Sequence, residues 1–196
     1  MYASVLALAA GFAVAAPTAS TPSTWKIDPA HSEVGFKVRH LAVSNVRGKF
    51  TKFSGMLTFD EKKLQNSKVE VTIDTTSVST EDEKRDEHLR SPEFLDVEKF
   101  PEMKFVSTKV VKAGRGLKVT GNLTLHGVTK PVVLQVEGLS KAVKDPWGGM
   151  RRGTTAQTTI NRQDFGLTWS KTLETGGLLV GNEVKIELEI ELVQES

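Results

Sequence analysis

The 196-residue chain has no cysteine. That absence removes a disulfide framework, any cysteine-based metal site and a lipid-anchoring cysteine at once, so the fold has to rest on its core alone. An excess of one charge is missing too. Lys and Arg number 26 against 24 Asp and Glu, and the formal net charge is only +2. The charges are interspersed along the chain, whereas a nucleic-acid binder gathers its basic residues on one face. Aromatic residues make up 7% of the sequence with a single Tyr, which leaves little for a base-stacking platform. No nucleic-acid partner is expected.

Catalytic signatures are equally scarce. The four histidines, His31, His40, His88 and His126, show no H-x-H, H-x-x-x-H or HExxH spacing. A zinc site would need three or four of them to converge from distant strands, so no metal is expected. There is no G-x-S-x-G elbow and no glycine-rich phosphate loop. His31 and Ser32 are neighbours on an extended segment and point to opposite faces, so they form no dyad. We therefore assign no catalytic residue, expect no cofactor and do not read the chain as an enzyme. His31 and His126 read as turn residues bonded to the backbone, and His40 as the cap of a strand end. One cluster keeps a catalytic alternative open: Asp86 is placed to orient His88 beside Arg85. Its other reading is an ion-pair network that fixes a lid.

The N-terminal stretch, Met1 to Ala16, carries no charge and is almost wholly apolar, yet too short to span a bilayer. Ala13-Val14-Ala15 offers a small-x-small cleavage pattern, although no positive charge precedes the run. A signal peptide is expected over 1–15, a Pro/Ser/Thr-rich disordered linker over 16–23, and one globular domain over 24–196. An exported protein, periplasmic or secreted, follows from that reading.

From Trp25 onward the apolar residues recur every second position, the period of half-solvated antiparallel strands. Val184, Ile186, Leu188, Ile190 and Leu192 alternate with Lys185, Glu187, Glu189 and Glu191. Val34, Phe36 and Val38 form another such face, as do Phe53, Leu57 and Phe59, then Val69, Val71 and Ile73. Leu117, Val119, Leu123 and Leu125, and finally Val132, Leu134 and Val136, complete the set. Gly48, Gly55 and Gly121 lie inside these runs, where we expect them to permit the bends of barrel closure. About eight strands would close into a barrel wide enough for one ligand. The segment of about 80–95 breaks the pattern. Thr80 with Glu83 matches a capping box, and Ser91-Pro92 matches the start of a second short turn, so a helical insertion at one end of the barrel is expected. The fold class is thus all-β, an antiparallel barrel with a short helix.

Five blocks in order then carry a family resemblance over Trp25 to Leu192. They are Trp25 to His40, with Asp28-Pro29-Ala30-His31-Ser32 at its heart; Gly48-Lys49-Phe50 with Phe53-Ser54-Gly55; Arg85-Asp86 to Ser91 with Phe94 and Phe100-Pro101; Gly121 to Thr129; and Ile160-Asn161-Arg162 to Asp164-Phe165-Gly166. The chain resembles the YceI-like family. That resemblance implies a lipocalin-like barrel with an apolar interior that binds a polyisoprenoid or similar long-chain lipid non-covalently, in the periplasm or outside the cell. The segment Met150 to Ile160, rich in Arg and Thr, departs from the alternation and leaves its share of the wall open.

Period-two Val, Leu and Phe is what any β-protein core looks like, and it does not distinguish a filled core from a hollow one. On the lipid-binding reading, Phe36, Val38, Phe53, Leu57, Phe59, Val71, Ile73, Leu123, Leu125, Val132 and Leu134 line the cavity. A polar head at the mouth would meet Arg39, His40, Arg85, His88, Arg162 and Trp169. The glycine-punctuated run Leu167 to Gly181 reads as a flap or as a plug over the open end. The partner is then a long-chain lipid, with transient membrane contact allowed for. A filled barrel acting through its outer surface in stress response or adhesion is the rival.

Overall fold

A computed structural model describes residues 22–172 and 178–195. The expected signal peptide, most of the linker and residues 173–177 of the glycine-punctuated run lie outside the described residues. Strand β1 (Ser23–Ile27) begins at Ser23, within the expected linker. It is followed by β2 (Glu33–His40), β3 (Ser44–Phe50), β4 (Phe53–Phe59), β5 (Lys68–Asp74), β6 (Val78–Ser79), helix α1 (Glu83–Arg90), β7 (Glu102–Ala113), β8 (Gly116–Leu125), β9 (Val128–Val136), β10 (Val143–Lys144), β11 (Met150–Asn161) and β12 (Val180–Gln194).

β12 closes the sheet on itself. One of its edges pairs with β11, from Arg151↔Val193 to Asn161↔Glu183. Its other edge takes β1 at Trp25↔Gln194 to Ile27↔Leu192 and β2 at Glu33↔Glu189 to Val38↔Val184. β1 and β2 are therefore two halves of one barrel strand. β3 and β4 are likewise two halves, pairing with β2 and β1 in turn, and β5 with β6 repeats the device against β4 and β3. The path continues through β7, β8 and β9 and returns to β11. With the halves joined, this is a closed eight-stranded antiparallel barrel with one short helix, of lipocalin-like form.

The break between β1 and β2 explains the Asp28-Pro29-Ala30-His31-Ser32 sequence. Pro29–His31 forms a single 3-10 turn whose N-cap is Asp28, with the Asp28 carboxylate accepting from the Ala30 N–H. Pro fits the first helical position because its missing N–H would have no partner there. Ser32 Oγ then accepts from Glu191 N at 2.9 Å and so ties the restarted strand to β12. The sequence shapes the corner.

α1 and the β2–β3 and β8–β9 hairpins crown the upper end of the barrel, together with the run after β11. The ends of β1 and β12 and the β7–β8 hairpin lie at the lower end. The helix is shorter than its sequence window, and its cap differs from expectation. Asp82, not Thr80, accepts the Arg85 N–H. Thr80 is held instead by Asp86, whose Oδ1 accepts from Thr80 N at 2.8 Å and from Thr80 Oγ1 at 2.6 Å. Ser91 caps the helix C-terminus, and its hydroxyl oxygen accepts from Glu93 N in the turn that follows.

The three interior glycines also make room. Gly48, Gly55 and Gly121 do not adopt positive φ; their role is space. A Cβ on Gly48 would collide with the ring of Phe36, and one on Gly121 with the ring of Phe105. Each ring thus lies over a neighbouring backbone and leaves the centre of the barrel clear.

Candidate functional site

The inward faces of the strands enclose a cavity of about 290 Å³, near the lower end of the roughly 300–1,000 Å³ usual for small-molecule sites. Among the described residues lining it, only Thr154, Thr158 and Arg162 are polar. Nine of the eleven wall residues expected from sequence line it: Phe36, Val38, Leu57, Val71, Ile73, Leu123, Leu125, Val132 and Leu134. Phe53 and Phe59 do not. Both are buried, at 9% and 8% exposure, but they belong to a packed cluster with Trp25, Ile27, Val34 and Leu192. Period two tells which way a side chain points; it does not tell whether its neighbours fill the space in front of it.

Below the cavity the barrel is corked. Arg152 points inward from β11, and its guanidinium lies 5.4 Å from the Trp25 ring centroid and 5.2 Å from that of Phe59. It also donates to Ser140 O at 2.8 Å and to Glu61 at 3.1 Å, so this cation has partners within the protein. The adjacent Arg151 points outward and clasps the corner: it donates to Asp28 at 2.7 Å, Asp145 at 2.8 Å and Glu191. The Arg151 guanidinium and then His31 hold the Asp28 carboxyl down at about 2. Asp28, His31 and Glu191 could in principle gather round a cation, but Arg151 already supplies one.

Above the cavity the cover is aromatic. Phe94, Leu95, Leu89 and Leu167 face inward. Behind them His88, Phe94 and Trp169 stack in a triangle, with ring centroids 4.9–5.0 Å apart. Arg162 pins the run after β11. It is 3% exposed and donates to five acceptors: the carbonyls of Gly181 (2.9 Å), Leu167, Trp169 (2.8 Å) and Val180 (3.3 Å), and the Asn182 amide oxygen (3.3 Å). Burial lowers its pKa, and carbonyl dipoles stand in for a counter-ion. All five guanidinium hydrogens are thereby used.

The six mouth residues expected to meet a head group are thus placed, but not as a converging anion site. Arg162 lines the cavity with its donors consumed. Arg39 donates twice to Ala42 O in the β2–β3 turn. His40 ends β2, half-buried opposite Ser44. Arg85 donates to Thr80, His88 bonds Glu93 at 2.6 Å, and Trp169 packs in the aromatic cover. Asp86 does not orient His88, since its carboxylate serves Thr80. Of the turn histidines, His126 Nδ1 approaches Phe165 O at 3.3 Å, while His31 bonds the Asp28 side chain and not the backbone.

Sequence reasoning missed three parts of the wall. β11 contributes Thr154, Ala156, Thr158 and Ile160; β12 contributes its whole apolar row; β7 contributes Met103, Phe105 and Val110. Among the described residues no helix is long and apolar enough to cross a membrane.

Known proteins share this architecture. The solved YceI protein of Campylobacter jejuni superposes with a TM-score of 0.67 at 34% identity, covering 86% of this chain and 96% of its own. A solved polyisoprenoid-binding domain from Saccharophagus degradans, implicated in plant cell wall breakdown, shares the fold at 16% identity with a TM-score of 0.63, over 87% of this chain and 98% of its own. Among curated proteins, Protein YceI of Salmonella newport is 47% identical over 164 residues, 81% of this chain and 85% of its own length. The family model described as "YceI-like domain" matches residues 25–192, and the chain belongs to that family.

Proposed function

We propose that this protein binds a long-chain apolar lipid, a polyisoprenoid or similar amphiphile, inside the barrel, and carries or stores it in the periplasm or outside the cell. The observation that supports this is the composition of the wall: among the described residues the lumen is lined by apolar side chains and three polar ones, two of them threonines. Water gains few hydrogen bonds in such a space, whereas each buried methylene contributes about 0.8 kcal/mol, or roughly 3–4 kcal/mol gross per isoprene unit. A few units exceed an association cost of about 4–15 kcal/mol, so affinity needs no polar anchor. That fits a mouth whose arginines are all engaged. The slender volume favours a single chain over a multi-chain lipid. The polyisoprenoid-binding domain of the same fold supports the same ligand class.

Titration with dansyl-undecanoic acid tests the reading. Saturable uptake at one site per chain, with blue-shifted emission and displacement by geranylgeraniol, is expected. Emission that stays at its aqueous value at all protein concentrations contradicts it and favours a filled barrel.

A further inference from the structure

We propose that the lipid chain enters and leaves the lumen sideways, through the seam between β9 and β11, rather than through either end of the barrel. This rests on the binding function proposed above and adds the route.

The seam is where the barrel is least closed. β9 pairs with β8 along its whole length, from Leu125↔Val128 to Leu117↔Val136. β11 pairs with β12 from Arg151 to Asn161. Towards each other the two strands pair only at Ala156↔Val136 and Gln157↔Gln135, with two further main-chain bonds below, from Glu137 N to Thr155 O and from Ser140 N to Gly153 O. Above that point, among the described residues, Lys130–Val133 and Thr158–Asn161 face across a groove floored by Phe165. Val132, Thr158 and Ile160 line both this groove and the lumen. The wall there is made of side chains with no ladder between the two strands.

The composition of β9 suits an edge that stays unzipped. Pro131 has no N–H to give a neighbouring strand and belongs on edges. Lys130 beside it is the charge that protects an exposed edge from pairing with another chain. Such a pair in the middle of a barrel strand marks a place where closure is not completed. Among the described residues, both ends carry side-chain fastenings. The lower end holds Arg152 over Trp25 and Phe59, and the upper run is fastened by the five acceptors of Arg162. Passage at the seam requires that Val132 and Ile160 move apart and that the buried Phe165 ring beside them shifts with them.

The absence of cysteine makes the test clean. Extending the register from Gln157↔Gln135 places Thr159 opposite Val133, so the double variant Val133→Cys/Thr159→Cys staples the seam from outside, by a disulfide or by a bismaleimide bridge where the sulfurs do not meet. Stopped-flow loading and release of dansyl-undecanoic acid are then compared with and without the staple. At least tenfold slower loading and release is expected, with Kd changed less than twofold and both rates restored by reductant for the disulfide form. A control staple, Thr124→Cys/Thr129→Cys, across the fully paired β8–β9 ladder should alter the rates less than twofold. Unchanged rates in the seam-stapled protein, with binding intact, overturn the lateral route alone. Failure of the unstapled protein to take up the probe at all overturns the binding function and the route together.

Discussion

The ring of Phe36 lies over the Cα of Gly48, its direct partner across the β2–β3 ladder. The ring of Phe105 likewise lies over Gly121, the residue diagonal to its ladder partner Leu123. In both cases a large side chain is accommodated along the wall and not across the lumen, because the residue behind it has no side chain.

Restoring a Cβ at these glycines should therefore push the rings inward. Gly48→Ala and Gly121→Ala are each expected to lower stability by about 1–3 kcal/mol and to weaken dansyl-undecanoic acid binding at least tenfold in the folded protein. Adding Phe36→Leu to Gly48→Ala should return part of the affinity. Urea unfolding and probe titration check both effects.

Leu125 and Phe59 look equivalent in the sequence, since each is an apolar member of an alternating strand. In the structure they part company. Leu125→Arg places a charge in the lumen and should abolish probe retention. Phe59→Ala removes the aromatic under Arg152 and should lower stability by about 3–5 kcal/mol while the folded fraction still binds. Equal loss of binding in both variants would contradict the separation of cork from lumen.

Arg162 is predicted to be a positioning residue for the upper run. Arg162→Met leaves four backbone carbonyls without their donor and should destabilise by about 2–4 kcal/mol. Hydrogen exchange should quicken at Leu167, Trp169 and Val180 and stay unchanged in β7 and β8.

The Asp28 corner gives the acid limb of the stability profile. Its carboxyl titrates at about 2 in the folded protein against 3.8 for the ordinary group, chiefly because of Arg151. A depressed folded pKa stabilises above the unfolded value and is lost as pH falls through the folded one. The melting temperature should therefore drop between about pH 4 and pH 2. Asp28→Asn should lower it at neutral pH and make that part of the profile shallower. Glu187, held at about 2 by Lys185 and then Lys37, titrates over the same window but is half exposed and adds little.

Much of the barrel was legible because its walls repeat. β12 shows an unbroken alternation over Val184 to Leu192, and β8 does so around Gly121, so both faces follow from the sequence. β7 was hidden by its bulge. Met103 and Phe105 point inward, the register slips between Ser107 and Lys109, and Val110 then points inward with the opposite parity. A period of two does not survive an inserted residue. β11 was obscure for a different reason: its lumen face is Thr154, Ala156, Thr158 and Ile160, small or hydroxylated residues that carry little hydrophobic signal. Pro131 was a usable signal that alternation masks, since its neighbours Val132, Leu134 and Val136 keep the pattern while the proline itself marks an edge. The bonding of the mouth residues was not legible, because arginine forks suggest phosphate, whereas Arg162 is buried and donates to backbone carbonyls. Which of a set of arginines are already engaged is a tertiary fact.

The proposed function stands or falls with a lipid chain held in the lumen. Native mass spectrometry of the protein purified from cells without added ligand or detergent tests it most directly. A bound species of several hundred daltons, retained under gentle ionisation, released on denaturation and absent from Leu125→Arg, is the predicted result. A wild-type spectrum showing only the mass of the polypeptide, unchanged after incubation with geranylgeraniol, would contradict it.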